Sequence, residues 1–495
     1  MMINGLNRQE SVWRLRITRL DQVWLGASSL LQKHKYALFA FLIPLGIRAI
    51  PELIAGPYPI GYDTISSYVP FILDWTGGHG AHELVPVGGS LLFIIFGLAG
   101  TVTRADPILI VKVSGPVLYG FFGFSTFIFG RKFLKWDSRR SLLLVLVLSA
   151  DFVSLRLSWD LFRNTLGISF LLAALSVGTS LSRQRTLGLA SLLVLTSLAH
   201  LLAGTLAVSI SLFKALVSEK GNLSRALATL PAAGIVLGSL VERSSFVATT
   251  DIASSSTVSN YIFLGYVFSP LIPLALLGLR SLQVDLLKSW LVVCFIGVVV
   301  GTQPLAFFDE IVVPYRWAIL MTLPLSAYAV EGLHNLRSLR LSSYRVKMLT
   351  RAWMLLLLFL AGTYVALPAN EAFPFYQFFT PTSMLQSTVP MEDSPNVIAS
   401  FQWLSDNIRP ETGLMTTDAM YGWAREYFVG NETTLWYHPG MTLQESMQAM
   451  LNNGYSCIYT VWWSNGQGWY DQPSPPSEFA LVHQSGSFGV FLYCK

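Results

Sequence analysis

Apolar residues along this chain fall in long, nearly continuous runs, and the short connections between them hold most of its lysine and arginine. A helix needs about 20 predominantly apolar residues to cross the hydrocarbon core of a bilayer. Runs at residues 36–55, 106–130, 140–157, 161–181, 186–199, 202–217, 226–241, 261–280, 286–303, 312–333 and 352–368 therefore predict about eleven spans. The segment 86–101 is also apolar. Counting it as a span would move the basic cluster Arg131, Lys132, Lys135, Arg139 and Arg140 to the opposite face, so it is expected to be a re-entrant or interfacial helix.

Alternate connections collect the cations, which places them in the cytoplasm. One side receives Arg8 to Lys35, then Arg131 to Arg140, Arg183 and Arg185, Lys214 to Arg225, Arg280 and Lys288, and Arg337 to Arg351. The other side holds Asp63, Glu83, Asp160, Arg163, His200, Asp309, Glu310 and Arg316. Arg104 and Lys112 run against this pattern and are expected to snorkel from an outer helix end. The polar stretch before the first run lacks the short charged region and small-residue cleavage site of a secretory signal, so the run at 36–55 reads as a retained span.

After Pro368 the pattern changes to Pro, Ser, Asn, Trp and Tyr, with strands expected at 413–417, 456–463 and 488–493 and a helix beginning at 401–408. The expected fold is a polytopic α-helical membrane protein of about 11 spans, N-terminus in and C-terminus out, with a small C-terminal extracytoplasmic α/β domain. Its parts are a cytoplasmic segment (1–35), a transmembrane domain (36–368) whose first outer loop is 56–105, and an extracytoplasmic domain (369–495).

Composition agrees. Of 495 residues, 53% are hydrophobic and 12% charged, against roughly 25% charged in soluble proteins. The net charge of +5 resides in connections between spans and is no footprint for nucleic acid. Three cysteines are too few for a disulfide framework. Cys294 falls inside a span, and Cys457 and Cys494 either pair, in an oxidising compartment, or stay as buried thiols.

The chemistry gathers on the outer face. Asp63 follows Gly61-Tyr62 in a proline-punctuated loop that runs on to Tyr68, where its side chain can be aimed. A carboxylate there suits a general base or a ligand for a divalent cation, Mg2+ or Mn2+; the plainer alternative is a cap for the helix that follows. Asp160 and Arg163 form either a helical i,i+3 pair or a second acid with a phosphate-binding arginine. His200 has no histidine near it at a metal-ligand spacing and reads as a structural hydrogen-bonding group or an auxiliary site residue. Arg316 must find an anion or reach the interface, and a guanidinium grips phosphate through two hydrogen bonds; pairing with Asp309 or Glu310 is the alternative. Asp63, Asp160, Asp309 and Glu310 are the candidate metal ligands. The tryptophans of the outer domain suit sugar stacking, a small core or an interface belt alike.

In this arrangement the chain resembles the membrane glycosyltransferases of the GT-C superfamily. Asp63 matches the position of that family's catalytic acid in the first outer loop, Pro86 to Gly100 resembles its interfacial helix, and Phe121 to Phe133 its next span. Val313-Pro314-Tyr315-Arg316-Trp317 through Pro324 resembles a late span of the protein mannosyltransferase and lipid A arabinosyltransferase branches, where an arginine lies near the lipid phosphate. Residues 396–407 with Leu414 to Trp423 resemble the outer domain of oligosaccharyltransferase subunits, but the Trp-Trp-Asp-Tyr-Gly acceptor motif is not intact, which disfavours a sequon asparagine as acceptor. The resemblance implies transfer of a sugar from a polyprenyl-phosphate donor to a protein, lipid or glycan of the cell envelope, in the plasma membrane of a prokaryote. Asp63 would be the catalytic residue, with Arg316, Arg163, Asp160, His200, Tyr62 and Tyr68 binding substrate. The rival expectations are a transporter or flippase of lipid-linked saccharides, disfavoured by the lack of an internal repeat, and a structural subunit of an envelope complex.

Overall fold

A computed structural model describes residues 34–78, 88–177, 182–217, 222–244, 265, 268–301, 314–336, 343–366, 388–408, 412–428, 435–437, 442–464 and 475–495. Asp309, Glu310 and Glu83 lie outside the described residues.

The membrane part is a bundle of helices: α1 (His34–Ile54), α2 (Val69–Gly77), α3 (Ser90–Thr103), α4 (Pro107–Lys132), α5 (Ser138–Ala150), α6 (Phe152–Trp159), α7 (Phe162–Leu175), α8 (Arg183–Ala199), α9 (Leu201–Val217), α10 (Asn222–Ser244), α11 (Ile272–Leu279), α12 (Asp285–Gly301), α13 (Pro314–Asn335) and α14 (Ser343–Ala366). Among the described residues α1, α4 and the Leu223–Val241 part of α10 are each long and apolar enough to cross a membrane. Large apolar side chains stand on the surface of the bundle, among them Leu216, Leu237, Phe295 and Phe359. In water such a surface would associate; in lipid it is solvated. The protein is an integral membrane protein.

Local sequence sets the helix boundaries. Asp106 caps α4, its carboxylate accepting from the Ile108 and Leu109 N–H groups, with Pro107 at the first helical position. Arg131 and Lys132 occupy the last turn of the same helix, where cations complement the helix dipole. The run expected as one span at 140–157 is instead two helices bent by 68°. Asp151 causes the break: it ends α5 in an extended conformation and caps α6 by accepting from Ser154 N–H at 3.0 Å. The apolar segment after residue 86 is helical from Ser90 to Thr103, too short at 14 residues to cross unaided.

The C-terminal domain holds α15 (Ser394–Asn407), α16 (Asp418–Tyr427) and α17 (Leu443–Asn452) around five strands: β1 (Gly413–Thr416), β2 (Leu435–Tyr437), β3 (Cys457–Trp463), β4 (Ala480–Ser485) and β5 (Phe488–Cys494). Strand order is β2-β1-β3-β5-β4, parallel across β2-β1-β3 and antiparallel from β3 to β4. Cys457 and Cys494 stand directly opposite each other on β3 and β5 and are joined as a disulfide. Trp423, Trp462 and Trp463 are buried in this domain's core, so these three serve packing; half-buried Trp403 stacks on His483 with ring centroids 4.5 Å apart.

Candidate active site

Between α1 and α2 the chain turns at Gly61, whose φ of +103° suits glycine, and a Cβ there would stand 2.5 Å from the Asp160 Cβ. Asp63 follows, at the entry to a five-residue π-helical turn, Thr64–Tyr68. Its side chain makes no capping hydrogen bond, so the capping role open from the sequence is not the one it plays. The half-exposed carboxylate lies 3.9 Å from the Arg163 guanidinium, which sits over the Phe93 ring with its carbon 5.2 Å from the centroid.

Asp160 is completely buried where α6 ends. Its carboxylate pairs with Arg156 one turn earlier and accepts the backbone N–H of Tyr62 at 2.7 Å and of Asp63 at 3.3 Å. The helical pair with Arg163 does not form, because α6 stops at Trp159 and Arg163 begins a different helix facing Asp63. Asp160 thus clamps the backbone that carries Asp63. Tyr68 closes the turn: its ring stacks on Phe162 at 5.4 Å and meets Phe96 edge-on at 5.5 Å. Its hydroxyl is buried and finds no hydrogen-bond partner among the described residues. Burial pushes the phenol pKa up, and the carboxylates of Asp63 and Asp160 push the same way against Arg163. The phenol stays neutral, a hydrogen-bond donor held beside the acid.

His200 lies at the junction of α8 and α9, its Nδ1 accepting the Ala203 N–H at 3.4 Å, and it packs opposite Gly167, one turn along α7 from Arg163. Arg316 is half-buried in the first turn of α13, a helix that packs against α5 and α6. The structure therefore brings Asp63, Asp160, Arg163, Tyr62 and Tyr68 into one cluster.

Over 94% of its length the chain matches the crystal structure of ArnT from Cupriavidus metallidurans bound to undecaprenyl phosphate, covering 98% of that chain with a TM-score of 0.50 and 13% sequence identity. The chain shares the overall fold of that protein. No family model and no curated protein matches the sequence, so the likeness is one of architecture.

Within this fold, a second polar network escaped the sequence reading. Arg48, fully buried in α1, donates to the carbonyls of Ser158 and Trp159, both at 2.9 Å, and to Glu52 at 2.7 Å. Lys112 donates to the other Glu52 oxygen at 2.8 Å and to the Tyr58 carbonyl at 2.7 Å. Lys112 is thus anchored inside the protein, which corrects the snorkelling expectation. Arg48 holds the end of α6 immediately before Asp160, so the network supports the clamp from below. The signal was present in the sequence: an arginine and a glutamate at i,i+4 within an apolar run are costly in lipid unless paired.

The donor set says little for a metal cage. Both Asp160 oxygens are engaged by Arg156 and backbone N–H groups, and no group of three acidic, histidine or cysteine side chains converges among the described residues. Asp63 keeps free acceptor capacity. A Mg2+ or Mn2+ ion would be held by Asp63 together with phosphate oxygens of a substrate, as small hard cations commonly are.

Proposed function

We propose that this protein transfers a sugar from a polyprenyl-phosphate donor to an acceptor at the outer face of a bacterial plasma membrane, with Asp63 as the general base. The observation that carries this reading is the Asp63 carboxylate. It is not used for capping, its backbone is clamped by Asp160, and it faces Arg163 in a fold similar to a protein seen with undecaprenyl phosphate. Asp63 would take the proton of an acceptor hydroxyl as that oxygen bonds to the anomeric carbon. The bond from that carbon to the phosphate oxygen breaks, its electron pair leaves on the phosphate, and the configuration inverts. Arg163 and Arg316 would receive the departing charge, which preformed cations stabilise without reorganisation. Tyr68 would donate a hydrogen bond to the substrate, while Tyr62, Asp160 and His200 shape the site.

An arrangement of about eleven spans, N-terminus in and C-terminus out, fits this reading. The Cys457–Cys494 bridge fits a domain outside the cytoplasm, since disulfides persist in oxidising compartments. The acceptor class is left open among protein, lipid and glycan.

Binding of undecaprenyl phosphate tests the donor class. Purified protein in nanodiscs should gain thermal stability with added undecaprenyl phosphate, and Arg163→Gln should weaken the response by about tenfold in apparent Kd. Equal responses to undecaprenyl phosphate and to the uncharged polyprenol would contradict it and favour a structural subunit.

A further inference from the structure

The turn that carries Asp63 and Tyr68 is not held by membrane helices alone. Ile65, within the turn, is buried in the core of the C-terminal domain with Met420, Trp423 and Ala424. Helix α16 lies against the turn and against α2. The approach is close enough that a Cβ on Gly422 would stand 1.8 Å from the Ile65 carbonyl oxygen, so glycine alone fits. One turn further along α16, Arg425 forms a buried ion pair with Asp74 of α2. Trp423 Nε1 donates to the Thr388 hydroxyl at 2.8 Å, fixing the face of α16 that turns into its own domain. Apolar packing would hold two such surfaces together without a buried charge pair, which adds desolvation cost but also fixes orientation. The turn itself is π-helical, a rare geometry that is frequent at functional sites.

We propose that α16 is a positioning element for the active site. Arg425, acting through Asp74, and Gly422, acting through Ile65, set the depth and rotation of the turn, so that the outer domain determines how Asp63 meets Arg163. Arg425 is a positioning residue. This inference rests on the assignment of Asp63 above, and its test does not.

The turn can be read directly through a Ser67→Cys reporter, because Cys457 and Cys494 are paired and Cys294 is buried. In that background the full-length protein in nanodiscs is made with Arg425→Lys, Arg425→Gln, Asp74→Asn and the double change Asp74→Asn/Arg425→Gln. The double change removes both charges of the pair together, so it reads out even where a single variant does not fold. Maleimide labelling of the reporter should change by about fivefold or more in every folded variant that lacks the pair and stay near wild type in Arg425→Lys. Where turnover of a polyprenyl-phosphate sugar is measured alongside, kcat should fall about tenfold or more with KM within about twofold, since a small misplacement acts on the chemical step. Unchanged labelling in the folded double variant overturns the proposal. A protein without turnover whose labelling still responds would sink the sugar-transfer reading and leave the positioning role standing.

Discussion

Among individual side chains, the half-exposed Asp63 carboxylate is kept in place by a neighbour that is itself fully occupied. Asp160 spends its charge on Arg156 and two backbone N–H groups, which leaves Asp63 available. Replacing Arg156 by Gln strands a buried carboxylate and should cost about 3–5 kcal/mol in thermal unfolding, much of it recovered by adding Asp160→Asn. Gly61→Ala should cost about 1–3 kcal/mol through its backbone conformation alone. It should also move Asp160, which would appear as lost activity with the protein still folded; full activity in Gly61→Ala would contradict the clamp. Asp63 was legible in the sequence because glycine, proline and aromatic residues surround a lone acid after a span. The partner of Asp160 was not, since choosing Arg156 over Arg163 depends on α6 ending at Trp159. Arg48 and Glu52, visible as an i,i+4 pair, were passed over for a different reason: a window that averages hydropathy absorbs two charges into an apolar run.

At the scale of elements, the positions of the apolar runs were legible and their shape was not. Helices stand where 106–130, 186–199, 202–217 and 286–303 predicted them, but the bend at Asp151 arises from one side chain capping the following helix. In the C-terminal domain the strands at 413–417, 456–463 and 488–493 could be read. β4, largely exposed on the sheet edge, and α17, with its Thr442 and Glu445 capping box, were not. Glu426 on α16 supplies a pH test. Burial, with Asp106 nearby, raises its carboxyl to about 7 from 4.5. The folded state then holds a proton that the unfolded chain releases, so stability is greatest below about pH 4.5 and declines as pH rises through about 7. With part of the side chain open to solvent, a loss of roughly 1–2 kcal/mol is expected. Glu426→Gln should flatten the melting temperature of the C-terminal domain between about pH 5 and pH 8; an unchanged slope would remove Glu426 as its cause. Cys457→Ser with Cys494→Ser should lower the stability of the same domain by about 2–4 kcal/mol, read from its denaturant midpoint.

For the molecule as a whole, the membrane bundle and the C-terminal domain share the segment from Gly61 to Asp74. Its aromatic side packs against α3 and α7, while Ile65 enters the core of the C-terminal domain. Such a shared segment sets the half-exposed acid at the junction of the bundle and the C-terminal domain. Alkaline phosphatase fused after Lys495 should be active in a bacterial host if the C-terminus is outside, and an inactive fusion would reverse the orientation. Sugar transfer through Asp63 is decided by turnover of radiolabelled polyprenyl-phosphate sugars by purified protein in nanodiscs, wild type against Asp63→Asn. Loss of a general base should lower turnover by about 10²–10⁴-fold while donor binding persists. Equal turnover in the two proteins, or binding without turnover in the wild type across donors, lipids and divalent cations, would contradict sugar transfer through Asp63.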